Sequence, residues 1–549
     1  MNKKSRLLVW SPLLAAALVA AGMWFGLMLG GGRPNSPAHE KLNTVFDLIR
    51  DEYVEEVSSD SLVELTIPEL LRNLDPHSVY IPRDELEMAN RDLESSFFGV
   101  GVQFQIMDDS ICVVEVISGG PAEKVGMRAG DRIIAVDGKN MTGKDVTNEA
   151  VFAALRGAKD TKVSVTVKRN GTRKPVTFDI VRGEIPTTSI DAKYLIEDSI
   201  GYIRLGKFAN NTYSEFLQAA NSLRHKGATG YIIDLRGNSG GLLDQAILIA
   251  NELFSQGDVL VETRGRNKAE NLIIPADGTG SFFAESIVVL VDEFTASSSE
   301  ILAGAIQDND RGLIIGRRTF GKGLVQRMIT LPDSSQIRLT VQRYYTPSGR
   351  CIQKDYKAGS NTDYEAEIYD RYTNGEIFAA DTTKYDAAHV FTTVNGRKVF
   401  GGGGILPDIF VPSDTTGITS YYLSVANAGL LQKFAYEYAD INRDQLEKAR
   451  NVEQLKSMLP SSDILLGAFV NYAADNGIAR RWYYINNSAR LIVNQLKALI
   501  ARDILGMDAY FEIVNPTDPT VKEAVKQIHQ GVDRTILQAI EEVSVEEDE

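Results

Sequence analysis

Histidine and cysteine are scarce in this chain, and their scarcity removes whole classes of chemistry. Five histidines among 549 residues (His39, His77, His225, His389, His529) are too few and too scattered for a histidine-rich metal site. The two cysteines, Cys112 and Cys351, stand far apart and make no metal spacing. One disulfide or two buried thiols are both compatible with them. Positive charge is also short. A net charge of −15, with no basic cluster beyond the first few residues, argues against a nucleic-acid partner. No metal and no cofactor is expected. What remains, 44% hydrophobic and 24% charged, is ordinary for globular protein, and the length calls for three or four domains.

The most informative stretch runs from Val288 to Gln326. Four apolar residues, Val288 to Val291, read as a buried strand. A polar turn follows, and then a run with Ile301, Leu302, Ala305 and Ile306 on one helical face. Ser297 therefore sits where a strand turns into a helix N-terminus. There, unpaired N–H groups and the helix dipole can stabilise an oxyanion. Ser297 and Glu300 also have capping-box spacing, and from this local pattern alone a plain N-cap is the commoner use of the residue. Further on, Gly316 to Gly323 matches a phosphate-binding loop for seven positions. That loop requires Ser or Thr after its lysine, and Gly323 follows Lys322. The acidic Asp292-Glu293 strand end also precedes the loop, the reverse of the usual ATPase order.

Lys3, Lys4 and Arg6 precede an apolar run, Leu7 to Leu29, long enough to span a bilayer, and a Gly/Pro linker follows it. An uncleaved anchor is expected, with cleavage near Ala20 to Gly22 as the alternative. Either sends the body of the chain across the membrane, to the periplasmic side of a bacterial inner membrane. Helical stripes follow over 34–97, one from Leu42 to Tyr53 and another from Leu62 to Leu74. The Leu74-Asp-Pro-His-Ser-Val-Tyr-Ile-Pro82 turn breaks them, and its His77 reads as a hydrogen-bonding turn residue.

Residues 98–185 form a separate unit. It opens with Gly99-Val100-Gly101-Val102, continues through Pro121 to Gly138 with Gly130-Asp131-Arg-Ile-Ile-Ala-Val-Asp137-Gly138, and includes a helix near Asn148–Leu155. This unit resembles a PDZ domain. The N–H groups of Gly99, Val100, Gly101 and Val102 would cradle a terminal carboxylate, and a peptide would add as a strand. Val102, Phe104, Val151 and Leu155 would line its pocket.

From 186 to 414 apolar strands alternate with helices, an α/β core. Expected strands include Gly230–Leu235, Ser286–Val291, Gly312–Ile315 and Gln336–Tyr344; expected helices include Thr212–His225, Leu242–Phe254 and Ser298–Gln307. The Gly240-Gly241 turn can present N–H groups to an anion, but carries no lysine for phosphate. Residues 351–404 are poorly patterned and read as an insertion. The region 415–549 is helical. Its two apolar stripes, Leu491 to Ile500 and Val521 to Ile540, suit packing or an oligomer surface, and it ends in an acidic tail.

Taken together, Leu74-Asp-Pro-His-Ser-Val-Tyr80, Asp234-Leu-Arg-Gly-Asn-Ser-Gly-Gly241, Thr295-Ala-Ser-Ser-Ser-Glu300 and Thr319-Phe-Gly-Lys-Gly-Leu-Val-Gln326 resemble the carboxyl-terminal processing peptidases over roughly Leu42 to Val411. The resemblance implies a crotonase/ClpP-like α/β core with a PDZ domain ahead of it and helical terminal regions. It also implies an enzyme that cleaves proteins near or from a free C-terminus. Carried over position by position, Ser297 is the nucleophile, Lys322 the base and Gln326 its support; the spacing to Lys322 selects Ser297 over Ser298 and Ser299. A serine becomes nucleophilic when a neighbour takes its proton, and a lysine can do so only when neutral. The N–H groups of Ser298 and of Gly240 or Gly241 are candidates for the oxyanion hole. Peptides or proteins with free C-termini are the expected partners. An adaptor or lipoprotein, and a homo-oligomer built through the helical regions, stay open. The rival is a PDZ adaptor that has lost activity, which predicts loss of Ser297, Lys322 or Gln326; all three are present.

Overall fold

A computed structural model of the chain describes residues 36–90, 93–94, 96–107, 110–117, 119–169, 172–359, 361–379 and 390–539. The apolar Leu7–Leu29 run and the acidic tail lie outside these. No described helix is long and apolar enough to cross a membrane. The chain divides into two compact units, Met1–Leu74 and Asp75–Glu549.

The first unit holds helices Pro37–Glu52 and Ser59–Arg72, capped by the side chains of Ser36 and Ser58. The first helix buries nothing, and Leu42, Val45 and Leu48 are exposed. The segment from Asp75 to 97, read from its sequence as helical, belongs to the second unit and is mixed: strand Val79–Ile81, a 3-10 turn Arg83–Glu85 and the short helix Leu86–Asn90.

The second unit is built on a six-stranded sheet ordered Ile190–Ile196, Ile200–Leu205, Gly230–Asp234, Ser286–Val291, Leu313–Gly316 and Ile409–Phe410. The first pair is antiparallel and the rest are parallel. Parallel strands need cover on both faces, which explains the unbroken apolar runs. Ile287, Val289 and Val291 face helices Thr212–His225, Leu243–Asn251 and Ser298–Asp308. Val288 and Leu290 face the other side, against Val521, Ala524 and Val532. Each such side chain contributes about 1.5–3 kcal/mol on burial, so the central strands anchor the turns at their C-terminal ends. Functional groups of open α/β sheets gather at those ends.

A second, antiparallel sheet joins Val79–Ile81, Gln336–Tyr345, Val259–Gly265 and Leu272–Pro275, with Leu324–Thr330 paired to Gln336–Tyr345. The loop carrying Lys322 passes from the first sheet to the second. The PDZ unit is an antiparallel sheet ordered Val102–Met107, Ser110–Val116, Arg132–Val136, Lys162–Lys168 and Val176–Val181, with helix Asn148–Leu155. Its inlet and outlet are tied by a ribbon in which Ser96–Gly99 pairs with Gly183–Pro186.

The insertion is more ordered than its sequence implies: helix Asn361–Thr373 and a hairpin of Val390–Thr392 with Lys398–Phe400. The two C-terminal stripes separate. Ile492, Leu496, Leu499 and Ile500 are buried inside a helical bundle. Val521, Val532 and Ile536 instead return to cover the central sheet, so the last helices pack with the core although they follow the bundle in sequence. Neither Cys112 nor Cys351 forms a disulfide.

Candidate active site

Three loops meet at the ends of the central strands. The first, after Gly230–Asp234, is fixed from below by Asp234. That carboxyl is fully buried between the guanidiniums of Arg236 (2.7 Å) and Arg204 (3.0 Å), with the Tyr202 hydroxyl at 2.7 Å. Burial alone would raise its pKa; the two cations and the hydroxyl outweigh burial and hold it well below the carboxylate range. The second loop runs from Asp292 to Ser297, and the third from Arg317 to Gly323. Ala296 N–H donates to the Asn238 carbonyl at 3.0 Å, and Phe320 N–H to the Thr295 carbonyl at 2.9 Å, so each loop is laced to the next.

Ser297 caps helix Ser298–Asp308 with φ 56° and ψ −118°, a left-handed setting rare for a residue with a Cβ. The capping box forms between Ser297 and Glu300. The Glu300 carboxylate accepts the Ser297 N–H at 2.8 Å, and the Glu300 N–H, facing the Ser297 side chain, also reaches the Ser297 carbonyl at 2.8 Å. In this box the Ser297 hydroxyl oxygen only accepts, so its proton stays free to give. Its neighbours differ. Ser298 and Ser299 are buried, and their hydroxyls donate to the carbonyls of Gly241 (2.8 Å) and Asn238 (3.1 Å). Ser297 is half-buried, and its hydroxyl donates to none of the described residues. Of the three serines, it alone is accessible and donates its proton to no carbonyl.

Around this turn the donors sort themselves. Gly240 is forced to be glycine: at φ 98°, a Cβ there would come within 2.7 Å of the Ser297 Cβ and 2.9 Å of the Ser298 nitrogen. Its own N–H, however, donates to Asn238 Oδ1 at 2.8 Å. The expected oxyanion role of Gly240 is therefore corrected, because that donor is already used. The N–H groups of Gly241 and Ser298 donate to none of the described residues, and Ser298 opens the helix, where the dipole favours negative charge.

Lys322 is half-buried, and its ammonium has no hydrogen bond or ion pair among the described residues. Burial, reinforced by the Arg338 charge, pushes its pKa below the ordinary lysine value, while Glu300 and Asp75 oppose the shift. Its backbone is tightly held. Lys322 N–H donates to Glu300 Oε2 at 2.9 Å, and Gly321 N–H and the Thr319 hydroxyl donate to Oε1 at 2.7 and 2.5 Å. Tyr344 Oη donates to the carbonyls of both Ser297 (3.1 Å) and Lys322 (2.8 Å). Glu300 thus meets four donors and no acceptor, the bonding set of a carboxylate.

Gln326 lies on Leu324–Thr330 and donates Nε2 to the His77 carbonyl at 2.5 Å. His77 Nε2 meets the Tyr364 hydroxyl at 2.9 Å. Burial first, and then the Lys322 charge, lower the imidazole pKa to about 4, so this histidine is neutral at physiological pH. His225 lies on the surface, its Nδ1 2.7 Å from the Asn221 carbonyl. Glu300, Tyr344 and Tyr364 are the site residues that sequence reasoning missed. Glu300 was visible only as a capping partner, and the tyrosines carry no local signal.

The phosphate-loop likeness dissolves here. The N–H groups of residues 317 and 319–323 are all given to protein acceptors, and Glu293 pairs with Arg317 at 2.7 Å. No backbone nest is left for phosphate.

In the PDZ unit, Gly99 ends the strand paired with Gly183–Pro186. Val100 is buried and Gly101 turns the chain at φ 83°. Val102 and Phe104 are half-buried on the outer strand of the sheet, with its other edge unpaired among the described strands. Val151 and Leu155 are 0% and 4% exposed and belong to the unit's core, which corrects their expected place in a peptide pocket. On that helix it is Phe152 that meets Phe104, ring centroids 5.1 Å apart.

Comparison with known proteins agrees with this architecture. The model for peptidase family S41 matches residues 199–366, a PDZ domain model matches 112–169, and the activating protease CtpB N-terminal domain model matches 32–85. A family of unknown function covers 421–506. A carboxy-terminal-processing protease of Bartonella bacilliformis is 38% identical over 317 residues, 57% of this chain and 72% of that protein. The Bacillus subtilis carboxy-terminal processing proteases CtpA and CtpB are each 35% identical, over 63% and 58% of this chain and 72% and 66% of their own lengths. The chain belongs to the carboxy-terminal processing proteases, serine peptidases with an S41 core and a PDZ domain.

Proposed function

We propose that this protease works through a Ser297–Lys322 dyad and receives its substrates through the PDZ unit. The observation that carries the dyad is the sorting of hydroxyls: Ser298 and Ser299 are buried and donate to carbonyls, and Ser297 is accessible and donates to none. Lys322, desolvated and unpaired, takes the Ser297 proton as the hydroxyl attacks the scissile carbonyl. The N–H groups of Gly241 and Ser298 receive the oxyanion. The protonated lysine then gives its proton to the leaving amine, and water resolves the acyl-enzyme by the same route. Gln326, anchored to the His77 carbonyl, orients the lysine.

Substrate selection rests on the unpaired edge of Val102–Met107, beside the Gly99–Gly101 link. A peptide adds there as a strand, its terminal carboxylate toward the glycines and its apolar side chains toward Val102 and Phe104. Lys3, Lys4, Arg6 and the Leu7–Leu29 run support placement of the body at the outer face of the cytoplasmic membrane. The test is digestion of an unfolded protein bearing a free C-terminus. Ser297→Ala and Lys322→Ala each abolish cleavage while folding is kept, and Ser299→Ala retains most of it. Equal loss in the Ser299 variant would sink the assignment.

A further inference from the structure

Apart from the contact of Tyr364 with His77, residues 351–404 have no part in the site described so far, yet their helix grips the loop that carries Lys322. Arg371, 1% exposed, donates Nη1 to the carbonyls of Arg318 (3.2 Å) and Thr319 (2.8 Å) and Nη2 to that of Phe320 (3.2 Å). Its Nε is held by Glu367 at 2.8 Å. Beside it, the Lys354 ammonium lies between two rings, 3.9 Å from the Phe320 centroid and 4.1 Å from that of Tyr364, and binds Glu367 at 3.1 Å. Tyr364 holds His77, and Tyr372, next to Arg371, donates to Glu293 at 2.7 Å. Burial would raise the Glu367 carboxyl. The bond and charge of Arg371, with the charges of Lys354 and Arg318, bring it down to about 2 instead, so Glu367 stays ionised.

The Lys322 loop is thus held along both edges. Its N–H groups are taken by the Thr295 carbonyl, Glu300 and Gln353, and the three carbonyls before Gly321 converge on one guanidinium. A guanidinium is a rigid planar fork, so three carbonyls bound to it fix the curl of the chain, which a lysine in its place could not do. We infer that Arg371 is a positioning residue for the reaction: its grip on residues 318–320 keeps Lys322 at the half-buried depth where its amine can act as a base. The inference rests on the lysine-base reading. The charged or titratable groups facing Lys322 are Arg338 from the Gln336–Tyr345 strand, Glu300 from the helix, and Asp75 and His77 from the turn. None of them lies on the insertion, which acts on the lysine through the backbone.

The test compares full-length Arg371→Ala and Arg371→Lys with the parent by kcat and KM across pH on a free-C-terminus protein substrate, together with thermal unfolding. A slack loop admits water to the amine. At neutral pH kcat is then expected to fall by about 10–100-fold, as for a base displaced by about an ångström, with KM little changed. The rising limb of kcat moves to higher pH, and activity partly returns in alkali; the Lys variant lies between the others and is the one read if the Ala variant does not fold. Tyr369→Ala, exposed on the same helix, leaves the profile in place. A loss equal at every pH, or one that follows the unfolded fraction, overturns the positioning role. An active Lys322→Ala overturns the base reading and this inference with it. An inactive Lys322→Ala beside unchanged Arg371 variants overturns the role of Arg371 alone.

Discussion

The backbone amides of Ser297 and Lys322 donate to the same oxygen, Oε2 of Glu300, at 2.8 and 2.9 Å. A buried carboxylate therefore sets the spacing of two residues that lie on different loops, and Tyr344 repeats the link through their carbonyls. Burial pushes the Glu300 carboxyl up from the ordinary value, and its four donors oppose the shift.

Glu300→Gln turns one oxygen into a donor and sets it against two donors. At about 1–3 kcal/mol for each buried group left unsatisfied, the expected cost is about 2–6 kcal/mol of stability. Activity is lost even in the fraction that remains folded. Tyr344→Phe removes one donor shared between two carbonyls and is milder, about 1 kcal/mol. Denaturant unfolding alongside active-site titration checks both. A Glu300→Gln protein with normal stability and normal turnover would remove Glu300 from the account.

Activity should rise with pH along a single limb. With Lys322 as the proposed base, only its neutral amine accepts a proton, so the rate is expected to follow deprotonation of Lys322, whose pKa burial has lowered from the usual lysine value. His77, at about 4, is already neutral above pH 5 and contributes no inflection in the neutral range. The pH dependence of kcat/KM from pH 5 to 9 checks this. A flat profile removes the lysine base, and a limb lost with His77→Ala assigns the titration to that residue.

The strained Ser297 backbone makes a prediction about stability. Holding a side-chain-bearing residue at φ 56° costs about 1–3 kcal/mol. Glycine removes that strain but adds about 0.5–1 kcal/mol of chain entropy. Ser297→Gly is therefore expected to be at least as stable as Ser297→Ala, which keeps the Cβ, although both are inactive. Thermal unfolding of the pair decides it, and a clearly less stable glycine variant shows that the turn is relaxed.

Much of this site was legible in sequence because its residues obey local rules. Val288–Val291 read as a buried strand, and Ser297 stood where that strand turns into a helix; its role as nucleophile came from the family resemblance and the spacing to Lys322. The tertiary partners were not legible. Glu300 has one local role, as a capping partner, and three others with residues 19 to 22 positions away. Gly240 and Gly241 read alike, yet only the fold shows that Asn238 has taken the first one's N–H. The insertion helix was missed because its polar face meets a polar loop through Arg371 and Glu367, so it carries little apolar periodicity. Val151 and Leu155 were misplaced for a related reason: helical spacing names a buried stripe without saying whether it faces a core or a groove.

The proposed recruitment through the PDZ unit predicts dependence on a free carboxylate. Amidating a substrate's C-terminus removes the anion that the Gly99–Gly101 link would hold, so binding and cleavage should both fall substantially. Cleavage of paired free-acid and amidated substrates checks this, and equal rates contradict carboxylate recognition. Phe104→Ala and Phe152→Ala, which open the apolar contact between the outer strand and the helix, should change KM far more than kcat.

The most direct test of the dyad is to trap the nucleophile. A serine-reactive fluorophosphonate, followed by peptide mapping in a mass spectrometer, should place one adduct on Ser297. Labelling should vanish in Ser297→Ala, slow sharply in Lys322→Ala, and persist in Ser299→Ala. An adduct on Ser298 or Ser299, or labelling of Ser297 at full rate without Lys322, contradicts the account.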